Sequence, residues 1–459
     1  MNINLFTGLV LLLGIVYSYI GYRASRTINS LSDYFLAGRS VGIFGLTIAL
    51  IATQLGGGAI LGTSKESFSV GIYGLSYIVS ICIGFLLLAC GIAQRLRAFN
   101  VTTTAELFEK KYKSVTLKKI ASLLSIISLC GLLTAQIVAS KNLMLSLNVY
   151  SLNIFLIFWI FVIGYTMVGG LRAVVNNDIF QLAFIIVVFV SLFFYDSITS
   201  SVGIMQVFTT PQRFFAQTAG FTWQRLLAIL IIPACYSLIE QDIAQTIFAA
   251  RSPRIAVTGS FLAAIGMMLF ACIPVYFGMK AKIIGLAVPE GANPLLYLFD
   301  QNYSPFIVLL VVYGIFAAII STADALLCAI SSHIVQDFSL EKYTTRVLVW
   351  SKIIMGIVGV FALCAASLYT NIIDVIVGSY DIPVVTLFIP LIISYYTYKV
   401  SVWGAYASII CGLASLVIFK YFAFFAFSPE VMALAISCAS YYIGALVEKF
   451  TTNKNYLRY

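Results

Sequence analysis

A chain of 459 residues that is 61% hydrophobic and only 10% charged is neither a soluble globular protein nor a disordered one. Its net charge of +10 does not mark a nucleic-acid binder, because the basic residues gather in alternate loops between apolar runs. The nine cysteines all fall inside those runs and read as small buried hydrophobes, which points to neither a disulfide framework nor a metal site.

Apolar runs of about 20 residues, each fit for one crossing of a bilayer, recur along the chain. They fall at about 4–22, 41–63, 73–96, 118–141, 152–170, 177–199, 223–248, 254–279, 304–333, 347–369, 372–397, 402–422 and 430–448. The first is full length with no cleavage-site pattern and reads as retained. This predicts an all-α polytopic membrane protein of about 13 transmembrane helices, one domain over residues 1–459. The four tryptophans, Trp159, Trp223, Trp350 and Trp403, stand at or near span ends and mostly suit an interfacial belt.

Lys and Arg decide the orientation. Arg23, Arg26 and Arg39 follow the first span, and Arg95, Arg97, Lys110, Lys111, Lys113, Lys118 and Lys119 follow the third. Further alternate loops hold Arg172, Arg251, Arg254, Lys342, Arg346 and Lys399, and the tail holds Lys449 and Arg458. The opposite set is sparser: Lys65, Lys141, Arg213, Arg225, Lys280, Lys282 and Lys420. The asymmetry puts the N-terminus outside and the C-terminus in the cytoplasm of a cell (inner or plasma) membrane.

The second span contains ALIATQLGGGAILG, residues 49–62, with Gly56, Gly57 and Gly58 in a row. Each glycine weakens a helix by roughly 1 kcal/mol relative to alanine. Two readings follow: a helix broken at mid-membrane, as transporters use for binding sites, or close helix packing through small residues. Setting 4–22 aside as a leading helix, residues 41–199 and 223–397 form two groups of five spans, with 402–448 as two trailing helices. Five is odd, so the second group starts from the other membrane face. The first helix of each group carries an interruption, Gly56–Gly58 in one and Pro233 with Ala234 and Tyr236 in the other. Paired interruptions in two halves favour the transporter reading.

Ionisable residues inside spans are functional candidates by default. The chain offers Asp178, Glu240, Asp242, Asp324, Asp374 and Asp381, with no Lys or Arg clearly at mid-depth beside them. Such carboxylates point to a mobile cation, Na⁺ or H⁺. In the ninth span Gly314, Ala318, Ser321, Ala325, Cys328 and Ser332 follow helical spacing and make a stripe of small residues. Ser321 and Thr322 add hydroxyls there, either as cation ligands or bonded back to their own helix. Asp178 reads as a cation ligand or as an acid favoured by a helix N-terminus. Gln54, Gln136 and Glu240 are candidates to face a substrate or to join helices. His333, the one histidine, lies near the cytoplasmic end of the ninth span and reads as a capping or interfacial residue.

SDYFLAGRS at 32–40, GYTMVGGLRAVVNNDIFQ at 164–181, EQDIAQTIFAARSP at 240–253 and AAIISTADALL at 317–327 together resemble the sodium:solute symporter family over nearly the whole chain. TQLGGGAILGT and STAD are similar to its choline-transporter branch and bacterial relatives. The resemblance implies a leucine-transporter-type fold of inverted five-helix repeats, the first helix of each being broken. It implies a sodium site formed by the carbonyls of Ala52, Leu55 and Ala318 and the hydroxyls of Ser321 and Thr322. Some members add a second cation site at positions matching Asp178 and Ser321, where the next ligand is a serine; here that place holds Asp324. The tryptophans of a choline cage are absent, and Gln54 and Glu240 stand at those positions.

The expected function is Na⁺-coupled symport of a small organic solute, such as proline or another amino acid, a vitamin or an organic cation, by alternating access. Gln54, Gly56, Gly57, Gln136, Tyr236 and Glu240 would surround that solute, and Na⁺ would be the coupling ion. No enzymatic step, transition metal or nucleic acid is expected, the lipid bilayer is the surrounding partner, and a monomer suffices. The alternatives are proton coupling through Asp324, Asp178 or Glu240 on the same fold, and a transporter-like sensor module.

Overall fold

A computed structural model describes residues 3–147, 149–200, 202–215, 222–289, 292–340, 346–368, 372–397, 399–422 and 428–456. Lys342, Arg458 and the side chains of Arg213 and Asp374 lie outside the described residues. Apart from one backbone bridge, Val41 to Ala250, the regular structure among the described residues is helical.

The chain runs α1 (Ile3–Ser25), α2 (Leu31–Leu36), α3 (Ile43–Gln54), α4 (Thr63–Val70), α5 (Ser76–Leu87), α6 (Ala93–Phe99) and α7 (Glu106–Tyr112). It continues through α8 (Val115–Ser146), α9 (Leu152–Thr199), α10 (Ile204–Thr209), α11 (Trp223–Ser237), α12 (Gln241–Phe248) and α13 (Pro253–Ile283). The last part holds α14 (Pro294–Asn302), α15 (Pro305–Ser332), α16 (Val347–Ala365), α17 (Ile372–Tyr396), α18 (Val402–Phe422) and α19 (Pro429–Tyr456).

Among the described residues eleven helical runs are long and apolar enough to cross a membrane. Two of them exceed one crossing. At 48 residues α9 would stretch about 70 Å if straight, against a hydrocarbon core of about 30 Å. Gly170 breaks it, at φ 53° and ψ −157°. A side chain there would meet the Tyr34 carbonyl oxygen at 2.5 Å, so only glycine fits the turn. Gly58–Phe99 is divided likewise at Gly71, φ 63°. With α3 counted as the first half of the broken span, these divisions yield the thirteen spans expected.

Burial ranks the helices. In the apolar window of Pro305–Asp337, 78% of residues are buried, against 22% for Pro429–Thr451. α15 is therefore the hub, packing on α8, α9 and α3, while α18 and α19 pack mainly on each other at the edge. The stripe from Gly314 to Ser332 is wholly buried, as its small residues require.

At one end of the bundle the start of the first broken helix is stitched to the end of the second. Val41 N–H donates to Ala249 O at 3.1 Å, and Arg251 N–H donates to Val41 O at 2.9 Å. The short α2 before it is set by a reciprocal cap between Ser30 and Asp33. Of the tryptophans, Trp223, Trp350 and Trp403 are exposed as a belt requires. Trp159 departs from that expectation: it is fully buried, and its indole N–H donates to Ser140 Oγ at 3.1 Å.

Candidate functional site

The glycine run does interrupt its helix. α3 ends at Gln54, Leu55–Gly57 cross over, and a single π-helical turn at Gly58–Gly62 restarts the span. An unbroken helix would close a hydrogen bond from Gly57 N–H to Thr53 O. Here Gly57 N–H donates instead to Gln136 Oε1 of α8 at 3.1 Å. Thr53 O accepts instead from Thr322 Oγ1 of α15 at 2.8 Å. Each freed backbone group thus finds a partner inside the protein, as mid-membrane backbone must. Gly56 permits this approach: a Cβ on it would lie 2.6 Å from Thr322 Oγ1 and 3.1 Å from Gln136 Oε1.

The second interruption lies elsewhere than Pro233. That proline sits inside α11, which continues to Ser237. The break falls at Leu238–Glu240, where Glu240 turns extended (ψ 130°) before α12. A proline removes one donor, but the helix bridges it, as membrane helices often do. The two breaks meet: Gln54 Nε2 donates to Glu240 Oε2 at 3.1 Å.

The residues implied for sodium binding divide. Ala52, Leu55, Ala318 and Ser321 are buried and Thr322 is half-buried. Thr322 faces the broken helix and also reaches Ala318 O at 3.3 Å. Ser321, one position earlier and so about 100° round the helix, turns the other way and donates to Asp178 Oδ1 at 2.5 Å. Asp178 Oδ2 is buried with no hydrogen-bond partner among the described atoms. Asp324 accepts from Thr166 Oγ1 at 2.6 Å and from the Tyr165 hydroxyl. Asp178 and Asp324 are fully buried, and among the described residues neither forms an ion pair.

Not every intramembrane acid lacks a cation. Asp381 pairs with Lys420 at 2.5 Å, so a basic residue does reach it from α18. Asp196, near the end of α9, pairs with buried Lys280 at 2.5 Å and accepts from the Tyr276 and Tyr303 hydroxyls. His333 is no interfacial residue: it is fully buried, with Nδ1 2.6 Å from Asp337 Oδ2.

Above the first break lies a cavity of about 1440 Å³. Gly57, Gly58, Tyr77, Ala139 and Tyr380 line its deep part, and Lys65, Glu66, Arg225, Asn293 and Glu430 stand toward one face. Of the residues expected to hold a solute, Gly57 lines this cavity. Gln54, Gly56, Gln136, Tyr236 and Glu240 are buried below and beside it. At the opposite face the segment 102–104 is latched to α12 and to the end of α15. Gln241 bonds to Thr104 N–H, Thr102 O and Ser332 Oγ, while Thr103 Oγ1 donates to Asp337 Oδ1 at 2.6 Å. Tyr165, Thr166, Tyr77 and Tyr380 were not singled out by sequence. The first two lie in the GYT of residues 164–166, whereas 27 tyrosines give no means of selecting the others.

Two broken helices meeting at mid-membrane, beneath a cavity open to one face, define a secondary transporter of the inverted-repeat class. Residues 34–412 match the sodium:solute symporter family, and the chain belongs to it. It is 28% identical over 349 residues to the sodium/proline symporter of Haemophilus influenzae, covering 70% of this chain and 68% of that one. It is 25% identical over 453 residues to the human high affinity choline transporter 1, covering 88% and 74%. Among solved structures it is similar to a Na⁺-coupled sialic acid symporter in a substrate-bound outward-open state. There the TM-score is 0.76 with 19% identity, covering 97% of this chain and 96% of that one, which establishes the leucine-transporter-type fold.

Proposed function

We propose that the chain is a Na⁺-coupled symporter that imports a small organic solute across a cell membrane by alternating access. The observation that carries this reading is the exchanged hydrogen bond at the first break. It sets the freed Thr53 carbonyl against the Thr322 hydroxyl, on the two elements that alternating access moves apart. A hard monovalent cation prefers such oxygen donors. Ala52, Leu55 and Ala318 would supply carbonyls, and Ser321 and Thr322 hydroxyls. Bound sodium would draw α15 and the broken helix together and favour the state that accepts solute, so each ligand strengthens the other. Moving one positive charge inward gains about 2.3 kcal/mol per 100 mV. Asp178 of α9, with Ser321 and Asp324 of α15, would form a second cation site.

In this reading the N-terminus is outside, and the cavity bordered by Glu66, Arg225 and Glu430 faces outward. A single subunit contains every element required, and no covalent chemistry takes place. The test is uptake into proteoliposomes under separate sodium and pH gradients, with Ser321→Ala and Thr322→Ala. The expected result is a raised sodium requirement in both variants. Sodium dependence identical to the parent would overturn the site. The buried Asp178–Asp324 pair favours one second reading, proton coupling, which uptake driven by a pH gradient and indifferent to sodium would establish.

A further inference from the structure

Directly below the cavity the chemistry changes. The hydroxyls of Tyr77 and Tyr380 close its floor with a 2.8 Å hydrogen bond. Beneath them the Tyr380 ring packs on the Tyr236 ring, centroids 4.6 Å apart. Glu240 follows on the same turn, its N–H donating to Tyr236 O at 2.8 Å. Glu240 is 4% exposed, and Asp242, two residues on, is 2% exposed, its Oδ1 accepting from Ile243 N–H. Gln54 gives Glu240 one hydrogen bond, and Asp242 Oδ2 has no partner among the described atoms.

Among the described residues neither acid meets a Lys, Arg or His within ion-pair range. Two carboxylates side by side in a dry site repel, and removing each from water is unfavourable by several kcal/mol. Such a pair is relieved either by a proton held between its members or by a positive charge beside them. The surrounding ring faces attract cations as well. The basic residues that line the cavity, Lys65 and Arg225, stand at its mouth, and Arg225 is already paired with Glu66 at 2.9 Å. A solute carboxylate would therefore find no basic side chain at the floor among the residues that line it.

We propose that the solute supplies a positive charge here: this protein carries a protonated primary or secondary amine that bears no carboxylate, which excludes proline and other zwitterions. The ammonium group hydrogen-bonds to Glu240, with Asp242 behind it, and rests against the faces of Tyr236 and Tyr380. To reach that place it parts the Tyr77–Tyr380 hydrogen bond. A quaternary ammonium has no N–H to give Glu240 and is disfavoured. The inference rests on the symport reading above and names its substrate class.

The experiment measures uptake of four radiolabelled probes into proteoliposomes: cadaverine, choline, proline and pantothenate. Each is run with a sodium gradient, with a proton gradient and with neither. Cadaverine uptake is expected to exceed the other three at least tenfold. Glu240→Gln is expected to lower it at least tenfold, and Glu240→Asp to restore part of it. A readout on the unaltered protein needs no variant to fold. Charge moved per monoamine probe (radiolabelled butylamine) should exceed sodium moved by one, with no change in internal pH. Uptake of proline or pantothenate alone, or amine uptake unchanged in a folded Glu240→Gln protein, would overturn the substrate class while leaving symport intact. Amine uptake lost in Glu240→Gln but driven by protons and not by sodium would uphold the substrate class and overturn sodium coupling.

Discussion

Thr53 O and Gly57 N–H, which a continuous helix would join, are held apart and satisfied by Thr322 and Gln136 from two other helices. The break is thus built by three helices together and is not merely permitted by glycine. Gln136→Ala removes the acceptor for a buried N–H, a loss of about 1–3 kcal/mol. The expected result is a lower unfolding temperature in detergent and a sodium affinity several-fold weaker, read by sodium-dependent thermal shift. An unchanged unfolding temperature would mean that Gly57 N–H has another partner.

Gly56→Ala tests the close approach directly. The added methyl would sit 2.6 Å from Thr322 Oγ1, inside contact distance, so α15 must retreat or Thr322 must rotate. Either movement breaks the Thr322 bond to Thr53 O. Sodium-driven uptake should fall at least tenfold, while Gly62→Ala, with open space around it, should leave uptake within about twofold of the parent.

Asp196 and Lys280 form a buried ion pair, and removing one partner strands the other. Asp196→Asn should destabilise the protein by about 3–5 kcal/mol. The double variant Asp196→Leu with Lys280→Met should recover most of that loss, because it leaves no charge uncompensated. Thermal unfolding of the parent, Asp196→Leu, Lys280→Met and the double variant, read as a double-mutant cycle, checks this.

Glu106, outside the membrane spans, gives a pH dependence with a definite sign. Burial first, then the Asp337 carboxylate, pushes its carboxyl up to about 7 from 4.5. The folded latch therefore favours the protonated form. Stability from this group is full below about pH 4.5 and is lost as pH rises through about 7. The change is about 1–3 kcal/mol, because the site is partly open to solvent. Hydrogen exchange of residues 101–106 should quicken between pH 5 and pH 8 beyond its intrinsic rise, and Glu106→Gln should abolish that excess.

Much of this molecule was legible before its coordinates. Hydropathy located the spans, because a bilayer admits only apolar segments of fixed length. The glycine run announced the first break, because three adjacent glycines each weaken a helix by roughly 1 kcal/mol. The second break was placed at Pro233 because proline is the usual helix breaker, but tertiary packing carries α11 past it to Ser237. The turn at Leu238–Glu240 is made by residues with no breaking tendency of their own. Partners across the bundle were beyond reach: Lys420 for Asp381, Lys280 for Asp196, and Tyr165 with Thr166 for Asp324 are remote in sequence. Pairing of that kind is decided by helix rotation, which composition does not encode. The same rotation turned the neighbours Ser321 and Thr322 toward different partners.

The stitch between Val41 and residues 249–251 is made of main chain on both sides. Side-chain replacement leaves it intact unless a proline deletes a donor at 41 or 251. Any rearrangement that opens the bundle at this end must either rupture both bonds or take α3 and α12 along as one rigid body. The arms α3 and α12 of the two interrupted helices are thereby yoked, so whatever ion or solute tilts one of them tilts the other.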